Sequence, residues 1–360
     1  MSSSIPATCK AGCVVNPGPD FSVVIEEVAV PEPGPDELLL RMSTTGLCHS
    51  DISYMSTPFM SAKMIQAGVR SPGHEGVGVV VKVGSAVTDW KIGDRGGIKP
   101  VWRVCFQCET CLAGFEMHCQ NLIPTGLGVP GTYQGYLTSP ASYTQRIPDE
   151  VDDFTAAPLM CSGTTVYRSL YAAELKAGDW VVISGAGGGV GHFGIQLAKV
   201  MGLRVIAVDS GAAKKSLCEE LGSDSFIDFQ DVENVSEEVL KLTGGKSAHA
   251  ILVASGSAQA YQTAIQMVRF GGKIMCIGHL KSPPGSLPSG LDPNLLIFKS
   301  AKVIGTMIGN MADAQKVLEF AAQGQLRAVY ESFPIDQLPQ AVAKLHAGEV
   351  AGRLVVDFNA

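Results

Sequence analysis

Apolar and polar positions follow one rhythm in the first part of this chain and another after Pro148. Up to there, apolar residues come in short runs, Phe21–Val30, Glu37–Thr45 and the β-branched Val77–Val83, punctuated by Pro31-Glu32-Pro33-Gly34-Pro35 and Gly93-Asp94-Arg95. Short runs bounded by glycine and proline predict a compact, mainly β domain. Residues 1–20 carry no such run and read as a loop. Beyond Pro148, 154–172 reads as a helix. From Asp179 strand and helix then alternate. The apolar strand Trp180–Ser184 leads through a glycine-rich turn into a helix with Val190, Phe193, Leu197, Ala198 and Met201 on one face. Strands at Arg204–Val208, Phe226–Asp228, Ile251–Val253, Lys273–Ile277 and Lys302–Gly305 follow. Six strands with crossover helices predict a doubly wound parallel sheet, an α/β fold. Ala312–Gln323 and Leu338–His346 read as helices, and Arg353–Phe358 as a strand returning to the first domain.

A length of 360 residues suits two domains better than one core. The expected division is 1–160 with 312–360, and 161–311. Hydrophobic residues make up 46% and charged residues 17%, and the net charge of −7 comes without a block of lysines or arginines. Nucleic-acid binding is therefore not expected, and no apolar run is long enough to span a bilayer. The N-terminal stretch shows neither a basic nor an apolar signal region, so a cytoplasmic location is expected. In that compartment the ten cysteines point to thiols and metal rather than to disulfides.

Cys105, Cys108, Cys111 and Cys119 form a C-x2-C-x2-C-x7-C quartet. Four thiolates so close along one loop suit a closed, structural zinc site. A second candidate lies between Gly46 and Gly78. Cys48, with Ser50 and Asp51 beside it, and His74, followed by Glu75, supply a thiolate, an imidazole and carboxylates. With one further thiolate from elsewhere they make a three-ligand zinc site whose fourth position stays open, the pattern of a catalytic centre.

The turn Gly185-Ala186-Gly187-Gly188-Gly189-Val190-Gly191 follows an apolar strand, opens an amphipathic helix, and precedes Asp209 at the end of the next strand. That context is a dinucleotide fingerprint. Backbone N–H groups at the helix start cradle a pyrophosphate, and the carboxylate accepts hydrogen bonds from ribose hydroxyls.

These motifs, together with Cys161-Ser162-Gly163-Thr164-Thr165-Val166-Tyr167 and Gly352-Arg353-Leu354-Val355-Val356-Asp357, resemble the zinc-dependent medium-chain alcohol dehydrogenases, most closely their tetrameric fungal branch. The resemblance covers nearly the whole chain. It implies a GroES-like catalytic domain beside a Rossmann domain, two zinc ions per chain, NAD as cofactor, a homotetramer, and an alcohol or aldehyde as the small-molecule partner. It also implies that Cys48, His74 and Cys161 hold the catalytic zinc, with Glu75 beside it as an occasional alternative ligand. Asp51 would orient the imidazole, and Ser50 would pass on the alcohol proton. His49 and Arg353 match cofactor phosphate contacts. Gly188, Gly189, Val190, Asp209 and Lys214 match the adenosine and pyrophosphate positions, and Thr165, Ile277 and Met307 the nicotinamide pocket.

The chain departs from that family at three places. Ser53 stands where the fermentative members carry a histidine relay, the loop Tyr54–Ser71 is longer, and Lys99 is followed by Pro100 rather than tryptophan. The substrate is thus left open between ethanol and a larger primary or secondary alcohol, or its carbonyl. A metal-free quinone or enoyl reductase of the same superfamily, and a reductase working chiefly in the reductive direction on a larger secondary metabolite, are the competing enzyme readings. A structural or redox-sensing protein would show a decayed zinc triad or glycine loop, and both are intact.

Overall fold

The computed structural model describes residues 5–280, 292–348 and 350–360. The chain forms two compact units, one of residues 1–164 with 310–360 and the other of residues 165–309.

The first unit is built on a seven-stranded sheet. Its strands lie in the order Tyr330–Pro334, Arg353–Asp357, Glu37–Gly46, Glu75–Val83, Arg95–Ile98 and Gln145–Arg146, and Tyr136–Pro140 also pairs with Glu37–Gly46. The C-terminal strand Arg353–Asp357 runs antiparallel to Glu37–Gly46 and carries the chain's end back into this unit. That pairing sets the first candidate site. Gly46 lies opposite both Glu75 and Val355, so three distant stretches of sequence converge at one end of the sheet. One core of the unit packs Leu38, Leu40, Met42, Val80, Trp90, Ile98 and Leu137. A second gathers Leu47, Ile52, Met55, Met64, Tyr133 and Leu338.

Two segments depart from expectation. Residues 1–20 are not simply a loop, because Thr8–Val15 is a strand paired antiparallel with Ser22–Ala29 over its whole length. Its inward residues include Cys9, Ala11 and Cys13, small side chains whose alternation does not stand out as a hydrophobic run. The segment Tyr54–Ser71, expected as a loop, is largely helical. Two short helices form here, α1 (His49–Ser56) and α2 (Pro58–Gln66). Asp51 caps the first turn of α1 by accepting from the Cys48 N–H, and Pro58 starts α2 where its missing N–H costs nothing.

The second unit is a six-stranded, wholly parallel sheet in the order Ser225–Asp228, Arg204–Asp209, Trp180–Ser184, Ala248–Val253, Val268–Cys276 and Lys302–Gly305. Numbered within the unit, that order is 3-2-1-4-5-6, the doubly wound dinucleotide-binding topology. All five residues of Trp180–Ser184 are buried, as a central strand covered on both faces requires. No helix among the described residues is long and apolar enough to cross a membrane.

Lys99 is a cation buried in the first unit's interior. It is 1% exposed, its ammonium lies over the Tyr143 ring with Nζ 4.5 Å from the centroid, and its nearest hydrogen-bond acceptor is Met311 Sδ at 3.3 Å. Burial pushes its pKa from 10.5 down to about 8, against the opposing pull of Glu116 and Asp313. The unfolded lysine holds its proton up to about 10.5 and the folded one only to about 8. The unfolded chain therefore binds more protons between those values, and Lys99 makes stability rise with pH across that window. Lys99→Met should stabilise the protein below pH 8 by up to roughly 3 kcal/mol. That advantage should fade towards pH 10.5, as read by denaturant midpoints across the range. A gain that does not change with pH would show that packing, not charge, is responsible.

Candidate metal centres and cofactor site

Cys48 ends the strand-to-helix turn after Glu37–Gly46, His74 precedes the strand Glu75–Val83, and Cys161 sits in a π-helical turn, Leu159–Gly163, between the helices Asp153–Pro158 and Thr164–Ala172. Single π turns inside α-helices recur at functional sites because the extra residue re-aims a side chain. All four potential ligands, Cys48, His74, Glu75 and Cys161, are buried, and their donor atoms lie within 4.8 Å of one another. Gly73 makes the approach possible. It has φ +95°, and a Cβ there would fall 2.4 Å from the Tyr133 ring.

Asp51 organises the imidazole. Its Oδ1 lies 2.6 Å from His74 Nδ1, and its Oδ2 accepts from the Cys48 N–H and the Tyr133 hydroxyl, both at 3.0 Å. With Nδ1 committed to a carboxylate, Nε2 is the nitrogen left to ligate. Outer hydrogen bonds of this kind fix the tautomer of a metal-ligating histidine. Burial opposes protonation of His74, yet the Asp51 carboxylate beside it holds its pKa well above the ordinary histidine value.

The two thiols behave as a pair. The hydrogen bond from Cys161, helped by His74, holds Cys48 well below the usual thiol range, and the same contact pushes Cys161 well above it. One thiolate is thus supported by the protein alone, and a second needs a cation between them. Two thiols and an imidazole brought together, with His74 Nε2 buried and without a hydrogen-bond partner among the described residues, fit a zinc ion.

Glu75 is the fourth group. Burial pushes its pKa up to about 8 against the pull of Arg353. Its Oε2 pairs with Arg353, and its Oε1 accepts from Ser162 Oγ at 3.2 Å. Arg353 Nη1 also donates to Ser162 Oγ at 2.8 Å. Arg353, expected at a cofactor phosphate, is therefore 4% exposed and tied into the metal cluster.

In the cysteine quartet, Cys105 Sγ is 3.5 Å from Cys119 and 4.0 Å from Cys111, and Cys108 Sγ is 3.9 Å from Cys119. An ion held tetrahedrally at about 2.3 Å from each sulfur would space them about 3.8 Å apart. A disulfide would bring two of them to about 2.05 Å, and all ten cysteines are free. Backbone N–H groups of Cys105, Cys108 and Asn121 donate to sulfurs of the quartet, which suits thiolates. The Thr110 hydroxyl is the main reason the Cys108 thiol falls to a pKa of about 5.

In the second unit the glycine turn leads into the helix Gly191–Val200, whose first residues carry no side-chain cap. Its N–H groups are thus available to an anion. A Cβ at Gly191 would lie 2.2 Å from the Gly185 carbonyl oxygen, so that glycine is what lets helix and strand approach. Asp209 ends its strand 5% exposed, accepting from the Gly187 N–H and from Lys214 Nζ, each at 2.9 Å. Gly188, Gly189 and Val190 belong to the same turn. Thr165 is buried at the head of this unit, Ile277 follows the strand Val268–Cys276 with its N–H on the Val253 carbonyl, and Met307 is 41% exposed beyond Lys302–Gly305. His49 is the first residue of α1 in the other unit.

Tyr133 and Ser162 were not legible from spacing. Tyr133 lies 82 residues from Asp51 along the chain, and no local signal links them. Ser162 follows Cys161 directly, and a polar residue fully buried beside a metal ligand is the clue to its place.

Residues 34–149 match the family described as alcohol dehydrogenase GroES-like domain, and residues 189–323 that described as zinc-binding dehydrogenase. The chain is 38% identical over 365 residues to alcohol dehydrogenase 2 of Emericella nidulans, covering 99% of each. It is 38% identical over 343 residues to an alcohol dehydrogenase of Schizosaccharomyces pombe, covering 95% of each. A crystal structure described as an NAD-dependent alcohol dehydrogenase superposes with a TM-score of 0.85 at 26% identity, over 97% of this chain and 99% of that one.

Two zinc ions per chain are expected by elemental analysis. Asp51→Asn should weaken the one at Cys48, His74 and Cys161 by roughly 10- to 100-fold and leave the quartet's zinc in place. Competition with a graded series of chelators measures both, and equal loss from the two sites would contradict this division.

Proposed function

The chain belongs to the zinc-dependent medium-chain alcohol dehydrogenases, and we propose from that premise that Cys48, His74 and Cys161 hold the catalytic zinc for interconverting an alcohol and its aldehyde or ketone with NAD(H). The observation that carries this assignment is the buried convergence of the two thiols and the imidazole, with Asp51 2.6 Å behind His74. Alcohol dehydrogenase is itself the standard example of two cysteines and a histidine around an open zinc position.

Zinc, when bound, supplies Lewis acidity to the alcohol hydroxyl, an effect worth roughly 12 kcal/mol where it takes water from pKa 15.7 to about 7. NAD, when bound, is the hydride acceptor. The chain's own residues set up both. Asp51 keeps the imidazole in its ligating tautomer, and the Arg353 guanidinium balances the Glu75 carboxylate so that the thiolates need answer only to the metal. Ser50, on the first turn of α1, takes the hydroxyl proton, a contribution of about 10²–10⁴ for such a group. Ser53, at the usual histidine position, donates to the His49 carbonyl at 3.1 Å and so is occupied within its own helix. Zinc chemistry therefore outweighs the proton relay here.

The helix N-terminus at Gly191 and the carboxylate of Asp209 make the cofactor site, with Gly188, Gly189, Val190 and Lys214 around the adenosine and pyrophosphate. Lys214 neutralises part of the charge on Asp209, but a 2′-phosphate would still face a carboxylate. NAD should be preferred over NADP by more than tenfold, and each 1.4 kcal/mol of repulsion accounts for a factor of ten. Asp209→Ser keeps an acceptor for the Gly187 N–H while removing the charge. It should narrow that gap, and kcat/KM with the two cofactors across a panel of alcohols and aldehydes measures it. Equal use of both cofactors by the parent protein would refute the role given to Asp209.

The protein is further proposed to act as a homotetramer in the cytoplasm. The outermost strand of the parallel sheet, Lys302–Gly305, is largely exposed. The neighbouring helix, Pro293–Lys299, shows Ile297 at 76% and Phe298 at 80% exposure. An open edge with apolar residues beside it calls for cover by a second copy. Light scattering at micromolar concentration should return the mass of four chains, and a single-chain mass would exclude it.

A further inference from the structure

The helix α1 offers two hydroxyls to the metal-site side, and the function proposed above uses only one. Ser50 and Tyr54 stand four residues apart on this helix, and such residues share a face with Cβ atoms roughly 5–6 Å apart. The Tyr54 ring packs against the His74 ring, centroids 5.8 Å apart and tilted by 53°. Its side chain is half-buried rather than enclosed, and on its inner side it packs against the core that contains Met55, Met64 and Tyr133. Tyr54 is therefore part of a wall beside the ligating imidazole, with the core behind it. The phenol group has no hydrogen-bond partner among the described residues, and neither does the Ser50 hydroxyl. Ser53, between them in sequence, is satisfied by the His49 carbonyl. A buried tyrosine O–H ordinarily finds a protein partner, whereas that of the half-buried Tyr54 is left open to a ligand.

We propose that Tyr54 is a specificity-determining residue whose phenol O–H hydrogen-bonds a second oxygen of the substrate, carried on the carbon next to the reacting one. This inference rests on the alcohol dehydrogenase reading of the same site. The argument for position is steric. A ring held against a zinc ligand reaches the first carbons of a substrate bound there and not its distal tail. The argument for chemistry is the pairing of hydroxyls. Ser50 serves the reacting oxygen, and one helical turn along the same face Tyr54 serves the next. The preferred substrates are thus α-hydroxy carbonyl compounds and 1,2-diols rather than simple alkanols.

The test compares isosteres. In the zinc-loaded enzyme with NADH, hydroxyacetone and 2-butanone report on turnover, and glycolamide and propionamide report on binding without turnover through changes in NADH fluorescence. The parent should favour the hydroxyl-bearing member of each pair by roughly 3- to 10-fold or more, the range for one hydrogen bond. Tyr54→Phe keeps the ring against His74 and should erase that preference while leaving 2-butanone and propionamide within about twofold of the parent values. No preference in the parent, or a preference that survives in Tyr54→Phe, overturns the proposal. A Tyr54→Phe enzyme that loses both members of each pair equally shows that Tyr54 only positions His74, and also overturns it. A parent that reduces no ketone or aldehyde and binds neither amide sinks the dehydrogenase reading itself, and this inference with it.

Discussion

Burying several negative charges together is the constraint around which the first unit is arranged. Two thiols and the carboxylates of Asp51 and Glu75 lie in a region almost without solvent, where an unpaired charge costs several kcal/mol. The protein supplies one permanent cation, Arg353, and spends it on Glu75. The thiols are left to share a proton or to share a metal. Their opposite displacement, Cys48 below the thiol range and Cys161 above it, is what one shared hydrogen bond between two buried thiols produces.

Other features of the unit serve that cluster. The antiparallel pairing of Arg353–Asp357 with Glu37–Gly46 returns the C-terminus so that Arg353 reaches Glu75. The π turn at Leu159–Gly163 adds a residue to an otherwise regular helix, at the point where Cys161 must meet Cys48. Tyr133 donates to Asp51 from a loop whose backbone also bonds to Pro72 and Gly73, just before His74. Since each of these parts answers a charge or a donor placed by another, losing any one leaves a buried group without its partner.

The cysteine quartet obeys a different logic. Its ligands span fifteen residues of one loop, from Cys105 to Cys119, and need no help from distant strands. Closure by zinc fixes a segment with little regular structure of its own, only the short helix Glu109–Leu112 and a 3₁₀ turn at Glu116–His118. A local ligand set also makes the site legible from spacing alone, which the open site is not.

The sequence by itself determined the parts whose signals are local. The quartet, the glycine turn followed by Asp209, and the strands Trp180–Ser184 and Lys302–Gly305 were readable because each depends on residues near one another along the chain. Most other strands that the sequence named came within three residues for the same reason, since hydrophobic period and turn residues are local properties, but Val268–Cys276 begins five residues before the expected Lys273, and Tyr136–Pro140 and Tyr330–Pro334 went unread. The first strand, Thr8–Val15, was not readable, because its inward positions at Cys9, Ala11 and Cys13 are small and its identity lies in its partner. The two helices after Cys48 were missed because α1 is short, eight residues, and only weakly amphipathic, and it starts from an aspartate cap rather than from an apolar stripe. Tertiary structure alone decided that Arg353 turns to Glu75, that Tyr133 holds Asp51, and that Tyr54 lies against His74. Those contacts join residues 20 to 278 positions apart, and nothing in the local pattern carries such a pairing until strand register and burial have brought the side chains face to face.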